Sequence, residues 1–292
     1  MSQPLITLIA GPTASGKSRL ALDRAVRTGA VIVNADSQQV YADLRILTAR
    51  PSVDDEAAAD HRLYGVADAA QAWSVGVWSR AILPLLETLR AERRPVLIVG
   101  GTGLYFTALT KGLAQIPDVP IAVRDEAVAL YDAEGEAAFR LRLMTFDPPA
   151  EASIAPGDRQ RLTRAYAVAM ATDQSLSDWQ AETTPMLEPG TYERLAIEPD
   201  RTTLYATCDA RVEAMMAAGA LDEVEALMTR GLSPALPAMK AVGVRELSAF
   251  LAGSTTREAA LDAMRQATRN YAKRQLTWFR NQTADWPRHG RS

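Results

Sequence analysis

Hydrophobic and polar positions follow two periods along this chain. Leu5–Ala10 (LITLIA) is a short apolar run ending at a Gly/Pro turn, and it predicts a buried strand. Ser18–Val26, with Leu20, Ala21 and Ala25 apolar, predicts a helix. Ala30–Val33 (AVIV) predicts a second buried strand, closed by Asn34-Ala35-Asp36. Trp78–Arg93 has helical spacing at Ile82, Leu85, Leu86 and Leu89, and Pro95–Val99 (PVLIV) predicts a third buried strand stopped by Gly100-Gly101. Thr203–Thr207 (TLYAT) is a weaker strand candidate. Asp209–Arg230, Gly243–Leu251 and Thr256–Arg280 predict helices, with Thr255 or Thr256 capping the last. Strands alternating with helices imply an α/β fold with a mostly parallel sheet.

The stretch from 114 to 199 reads differently. It has helical spacing, no convincing strand, and breaks at Asp147-Pro148-Pro149 and Pro156-Gly157. We therefore expect an all-helical insertion over 114–199 inside an α/β core formed by 1–113 and 200–292.

Composition narrows the class. The chain has 292 residues, 48% hydrophobic and 23% charged, as in ordinary globular proteins. A single cysteine, Cys208, excludes an internal disulfide framework. His61 and His289 lie far apart and do not suggest a zinc site. No apolar run reaches the length of a membrane span, and the first residues lack the basic lead of a signal peptide, so a cytoplasmic protein is expected. Net charge is −3, but from Arg257 to Arg291 eight Lys/Arg stand against three Asp/Glu. A basic stretch on an acidic body fits either a polyanionic partner or a solvated helix face.

The sharpest motif is Gly11-Pro12-Thr13-Ala14-Ser15-Gly16-Lys17-Ser18, which fits G-x-x-x-x-G-K-[ST] with a strand before it and a helix after it. Its glycines let backbone N–H groups wrap phosphate oxygens, Lys17 adds a point charge, and the Ser18 hydroxyl is placed to ligate Mg²⁺. The core is thus read as P-loop NTPase-like, and the ligand as a di- or triphosphate. Asp36 ends the second strand and could serve as general base, hold Mg²⁺ indirectly, or cap the next turn. Gly100-Gly101-Thr102-Gly103 opens another helix, and Thr102 offers a hydroxyl to the same crevice. Gln160, Arg161 and Arg164 share a helix face suited to phosphates or to surface ion pairs. Thr268–Arg280 carries four basic residues, no acidic ones and three aromatics, which suits nucleic acid; Arg269, Lys273 and Arg280 can align, and Phe279 favours the core. Arg211 is expected near a helix start, where it opposes the dipole and suits an anion.

Taken together, GPTASGKS (Gly11–Ser18), NADSQQVY (Asn34–Tyr41), VGGTGLY (Val99–Tyr105), DRQRLTRA (Asp158–Ala165) and AKRQLTWFR (Ala272–Arg280) give a chain that resembles the tRNA dimethylallyltransferase family over nearly its whole length. The resemblance implies transfer of a dimethylallyl group from dimethylallyl diphosphate to N6 of adenosine 37 in tRNA, with Mg²⁺ as cofactor. It implies that Gly11–Ser18 and Arg211 bind the diphosphate, that Ser18 ligates the metal, and that Asp36 is the base, with Thr102 in the reaction channel. It further implies that Asp36, Ser37, Gln38, Gln39, Thr102, Arg124, Gln160, Arg161, Leu162, Thr163, Arg164, Lys273 and Arg274 touch tRNA. We expect a monomer, away from membranes. Departures from the family pattern include Gln38 for Met, Ala167 for Glu and Val244 for Tyr. A P-loop small-molecule kinase and an adenylate isopentenyltransferase using free AMP are the alternative readings.

Overall fold

In the computed structural model, which describes residues 5–290, the chain runs β1 (Ile6–Ala10), α1 (Lys17–Thr28), β2 (Val31–Asn34), α2 (Val53–Ala58), β3 (His61–Arg62), α3 (Val75–Ala91), β4 (Val96–Gly100) and α4 (Gly103–Thr110). Four helices follow: α5 (Ile121–Phe146), α6 (Pro148–Ser153), α7 (Arg159–Thr172) and α8 (Leu176–Ala181). The chain then returns through β5 (Tyr192–Ile197), α9 (Arg201–Ala217), α10 (Ala220–Thr229), α11 (Val244–Leu251), α12 (Arg257–Gln282) and β6 (Arg288–His289).

The six strands form one sheet in the order β3-β2-β4-β1-β5-β6, and every pair is parallel. The central strands are apolar runs because helices cover both faces, as a parallel sheet requires. Thus β1 from Thr7 to Ala10, and all of β2 and β4, are buried. Register sets Ala10 beside Gly100 and Asn34 beside Val99. The three motif turns therefore leave the same edge of three adjacent strands, the ligand-facing edge of an open α/β sheet.

Two compact units divide the chain, residues 1–110 with 187–292 and residues 111–186. The chain leaves and rejoins the first unit at one point, where the Leu187 N–H donates to the Leu109 carbonyl at 2.9 Å. The far boundary at 199 expected from sequence is corrected here, because β5 belongs to the sheet. That strand escapes an apolar-run search because Glu193 and Arg194, at its middle, are exposed near the sheet edge. Thr203–Thr207 is likewise corrected from strand to helix. The Asp200 carboxylate accepts from the Thr202 and Thr203 N–H groups and starts α9 there. The single helix expected over Asp209–Arg230 is two, broken where Gly219 takes φ 98°. Thr256, not Thr255, caps α12, its hydroxyl accepting from the Ala259 N–H.

In the first unit a second core joins Tyr41, Leu44 and Leu47 to Val212, Met215, Val224 and Met264 on the C-terminal helices. Glu223 fixes that loop, accepting from the Arg45, Ile46 and Leu47 N–H groups at 2.7, 2.8 and 2.8 Å. In the second unit α5 is interrupted at Gly135. Fully buried Asp147 there caps α6 and also accepts from the Ser177 N–H. Among the described residues no helix is long and apolar enough to cross a membrane. Arg291, the end of the basic stretch, lies outside the described residues.

Candidate active site

The loop from Gly11 to Gly16 is shaped by its own backbone. Ala14 and Gly16 both take positive φ, 61° and 84°, so successive N–H groups can point inward, a nest for an anion. Gly16 caps α1 without a side-chain bond, and no acidic residue sits in the first turn. The N-terminal amides of α1 thus keep their positive potential for a ligand. The Gly11 N–H is tied to the Gly100 carbonyl at 3.2 Å, and the Ser15 N–H to the Pro12 carbonyl. Ser18 is exposed in the first helical turn. The Ser15 hydroxyl is buried without a hydrogen-bond partner, a polar atom whose bonding a phosphate oxygen would complete. Lys17 is 7% exposed and donates to the Pro12 carbonyl at 3.2 Å. Burial lowers its pKa to about 8, against the opposing pull of the Asp36 carboxylate.

Asp36 is 6% exposed. Its N–H donates to the Asn34 side chain at 2.7 Å, and its Oδ1 accepts from the Gln38 N–H at 3.0 Å. The turn-capping role considered from sequence is therefore real, yet it uses one carboxylate oxygen. Thr102 stands next to it: its hydroxyl accepts from the Ser37 N–H at 2.8 Å and donates to the Ser37 hydroxyl at 3.1 Å. Glycines permit this approach. A Cβ on Gly100 would lie 1.9 Å from the Ala35 carbonyl oxygen, and one on Gly103 would lie 2.3 Å from the Trp278 ring.

Arg211 lies within α9 rather than at its start, correcting the sequence reading, because α9 begins at Arg201, eight residues before the predicted helix start at Asp209. It donates to the Thr48 carbonyl at 3.2 Å. Burial lowers its pKa and the Asp36 charge opposes that; guanidinium remains charged. Thr13, Asp36, Gln38, Arg211 and Tyr271 line one pocket, whose remaining wall includes Leu47, Met215 and Met264. Burial together with the Asp36 charge raises the pKa of Tyr271. A larger cavity, about 600 Å³, lies across Val242 and is lined by Lys240, Arg245 and Arg274 among apolar groups.

Other expected contacts sort by burial. Gln39 is 9% exposed and its amide donates to the Thr48 and Ala49 carbonyls, so it holds the loop. Lys273 and Arg274 are exposed on α12, with Arg274 over the Tyr271 ring. Arg269 and Arg280 do not join them, because Asp209 and Glu198 pair with them. In the second unit Gln160, Arg161 and Arg164 are exposed on α7, and Arg124 is exposed on α5. Arg161 pairs with Asp158, whereas Arg164 feels the like charge of Arg124. Leu162 and Thr163 turn inward, Leu162 into the core beside Phe139 and Thr163 onto the Arg159 carbonyl, so the helical period removes both from the surface.

The IPP transferase family pattern matches residues 39–282, and the isopentenyl transferase pattern matches residues 4–72. The chain is 58% identical over 286 residues to the tRNA dimethylallyltransferase of Phenylobacterium zucineum, covering 98% of this chain and 92% of that one. It belongs to that family. Among solved structures, the tRNA isopentenylpyrophosphate transferase of Bacillus halodurans is similar at 30% identity and TM-score 0.70, covering 98% of this chain and 89% of that one. The Staphylococcus epidermidis tRNA isopentenylpyrophosphate transferase is similar at 28% and TM-score 0.67, covering 99% and 93%. The core has the P-loop NTPase-like architecture of these structures, and the chain is a prenyltransferase-family enzyme. Two of the family departures sit in cores, Ala167 and Val244 each 1% exposed. Gln38 instead accepts from the Val242 N–H at 3.4 Å.

Sequence reasoning left out Gln275, Lys240 and Arg245 and gave Tyr271 no role in the site. Gln275 had a readable signal: it sits on the buried face of α12 with Ala272, Leu276 and Phe279, where a polar side chain needs partners.

Proposed function

We propose that this chain transfers the dimethylallyl group of dimethylallyl diphosphate to N6 of adenosine 37 in the tRNA anticodon loop. The observation that carries this reading is the convergence of Thr13, Asp36 and Arg211 on one pocket with an apolar wall. The N–H groups and Lys17 of the Gly11–Ser18 loop hold the diphosphate, and Arg211 neutralises it from the other side. Leu47, Met215 and Met264 supply the apolar side of that pocket. The free Asp36 oxygen accepts the N6 proton as the N6–C1 bond forms and the C1–O bond to diphosphate breaks. Diphosphate departs with the electron pair of that bond. Thr102 and Tyr271 fix the acceptor side of the pocket.

Among the described residues no three His, Cys, Asp or Glu side chains converge on a cation site. Ser18, exposed in the first turn of α1, fits an ion bound chiefly through the diphosphate. Mg²⁺ held there would withdraw charge from the leaving group.

The target base must leave the anticodon stack, at a cost of a few kcal/mol. Lys273 and Arg274 of α12, the Lys240–Arg245 cavity, and Gln160, Arg161 and Arg164 of α7 with Arg124 are the cationic and polar groups offered to RNA. They supply contacts that offset this cost.

The test is incubation with labelled dimethylallyl diphosphate and tRNA, AMP or ATP in separate reactions. Label on tRNA alone supports the reading. Label on AMP, or ATP consumption with a small acceptor, replaces it.

A further inference from the structure

We infer that Gln275 is a positioning residue that sets the donor loop against the turn carrying the acceptor side, an inference that rests on the function proposed above. Its side chain is 6% exposed on α12. Oε1 accepts from the Thr13 N–H at 2.8 Å, and Nε2 donates to the Gly101 carbonyl at 2.9 Å. One partner is an obligate donor and the other an obligate acceptor, so the amide has only one orientation that satisfies both. Gly101 is a glycine for this reason: a Cβ there would lie 2.3 Å from Nε2 and 3.3 Å from Asp36 Oδ2. From Gly101 the order passes to Thr102, and through its hydroxyl to Ser37 beside Asp36. The side chain thus bridges a loop that grips the leaving group and a turn that orients the base.

Strand pairing alone brings the two loops together only at the Gly11–Gly100 contact. Gln275 adds a second point of support two residues further along on the donor side and one further on the other. A displacement of about 1 Å between reacting groups is enough to cost about 100-fold in rate. The neighbouring Lys273 and Arg274 are exposed, so one turn of α12 presents charge outward and the clasp inward.

The experiment compares Gln275→Met and Gln275→Glu with the wild-type chain. It measures single-turnover transfer at saturating tRNA and dimethylallyl diphosphate, donor KM, tRNA affinity and thermal midpoint. Gln275→Met removes both bonds at nearly constant volume, and the saturated rate should fall about 10- to 100-fold, with tRNA affinity unchanged. Gln275→Glu supplies the sharper reading. A neutral carboxyl can accept from Thr13 and donate to Gly101 as the amide does; a carboxylate cannot donate. The rate of this variant relative to wild type should therefore climb as pH falls through the introduced carboxyl's pKa.

A flat ratio across pH, or a Gln275→Met chain with wild-type saturated rate and only a lowered midpoint, overturns the proposal and leaves Gln275 as packing for α12. Should Gln275→Met not fold, the Gln275→Glu series decides alone. Wild-type transfer in the same assay carries the functional reading, so a flat ratio counts against the clasp and not against prenyl transfer.

Discussion

The two glycine turns at the edge of the sheet use the same residue for opposite reasons. At Gly16 an added Cβ would meet nothing within 4 Å, and the requirement is conformational, φ +84°. At Gly100, Gly101 and Gly103 the backbone is not left-handed, and the requirement is space, because Ala35, Gln275 and Trp278 occupy the places a side chain would take. In the first turn the Gly11, Thr13 and Ser15 N–H groups are tied to protein, but the start of α1 at Gly16 is left without a side-chain cap, open to something that is not protein. The second turn is held by protein from every side. A donor cradle must be open to be filled, whereas a base and its orienting hydroxyl gain from being fixed beforehand.

The contrast is breakable. Gly100→Ala drives a methyl into a backbone carbonyl that cannot yield, and we expect about 3 kcal/mol of lost stability, read as a shift of the denaturant midpoint. A midpoint unchanged from wild type would show that the second turn has slack. Asp36→Ala should lower single-turnover transfer about 100-fold or more while tRNA affinity stays put. Lost tRNA binding with normal chemistry would strip Asp36 of the base role.

The next effect belongs to the first turn. Lys17 is charged below about pH 8 and loses its proton above it, so affinity for the diphosphate donor, measured by calorimetry, should be steady below that pH. Above it, affinity should weaken by up to about tenfold per pH unit, the limit for losing one proton. Affinity independent of pH from 7 to 9 would remove Lys17 from the cradle. Smallest is Gly16→Ala, which forces a left-handed alanine and should cost about 1 kcal/mol in the same denaturant titration. A cost matching that of Gly100→Ala would erase the distinction between the turns.

What could be read in the sequence was local. The Gly11–Ser18 loop, Asp36 and Thr102 each sit where an apolar strand ends, and short-range pattern is sufficient to place them there. The hidden parts depend on contacts between distant segments. Gln275 meets Thr13 across 262 positions, and no spacing rule joins them. Arg211 reaches the pocket from the middle of α9, whose start was obscured because Thr203–Thr207 has the composition of a strand and only Asp200 tells otherwise. Strand β5, next to the edge strand β6, went unread because half-exposed strands carry polar residues at their centre. On α7 the arginines were legible, but their neighbours Leu162 and Thr163 were drawn along with them, although a helix turns about 100° per residue and carries them inward.

The hydrogen bond from Leu187 to Leu109 has a consequence for how the chain is assembled. Since both ends of residues 111–186 are pinned to each other, the sheet experiences that whole segment as if it were a tight hairpin. Its length adds little to the entropy of closing the fold, which grows only logarithmically with loop size. A change in the length of chain between those two leucines therefore adds only a small closure cost for the strands on either side.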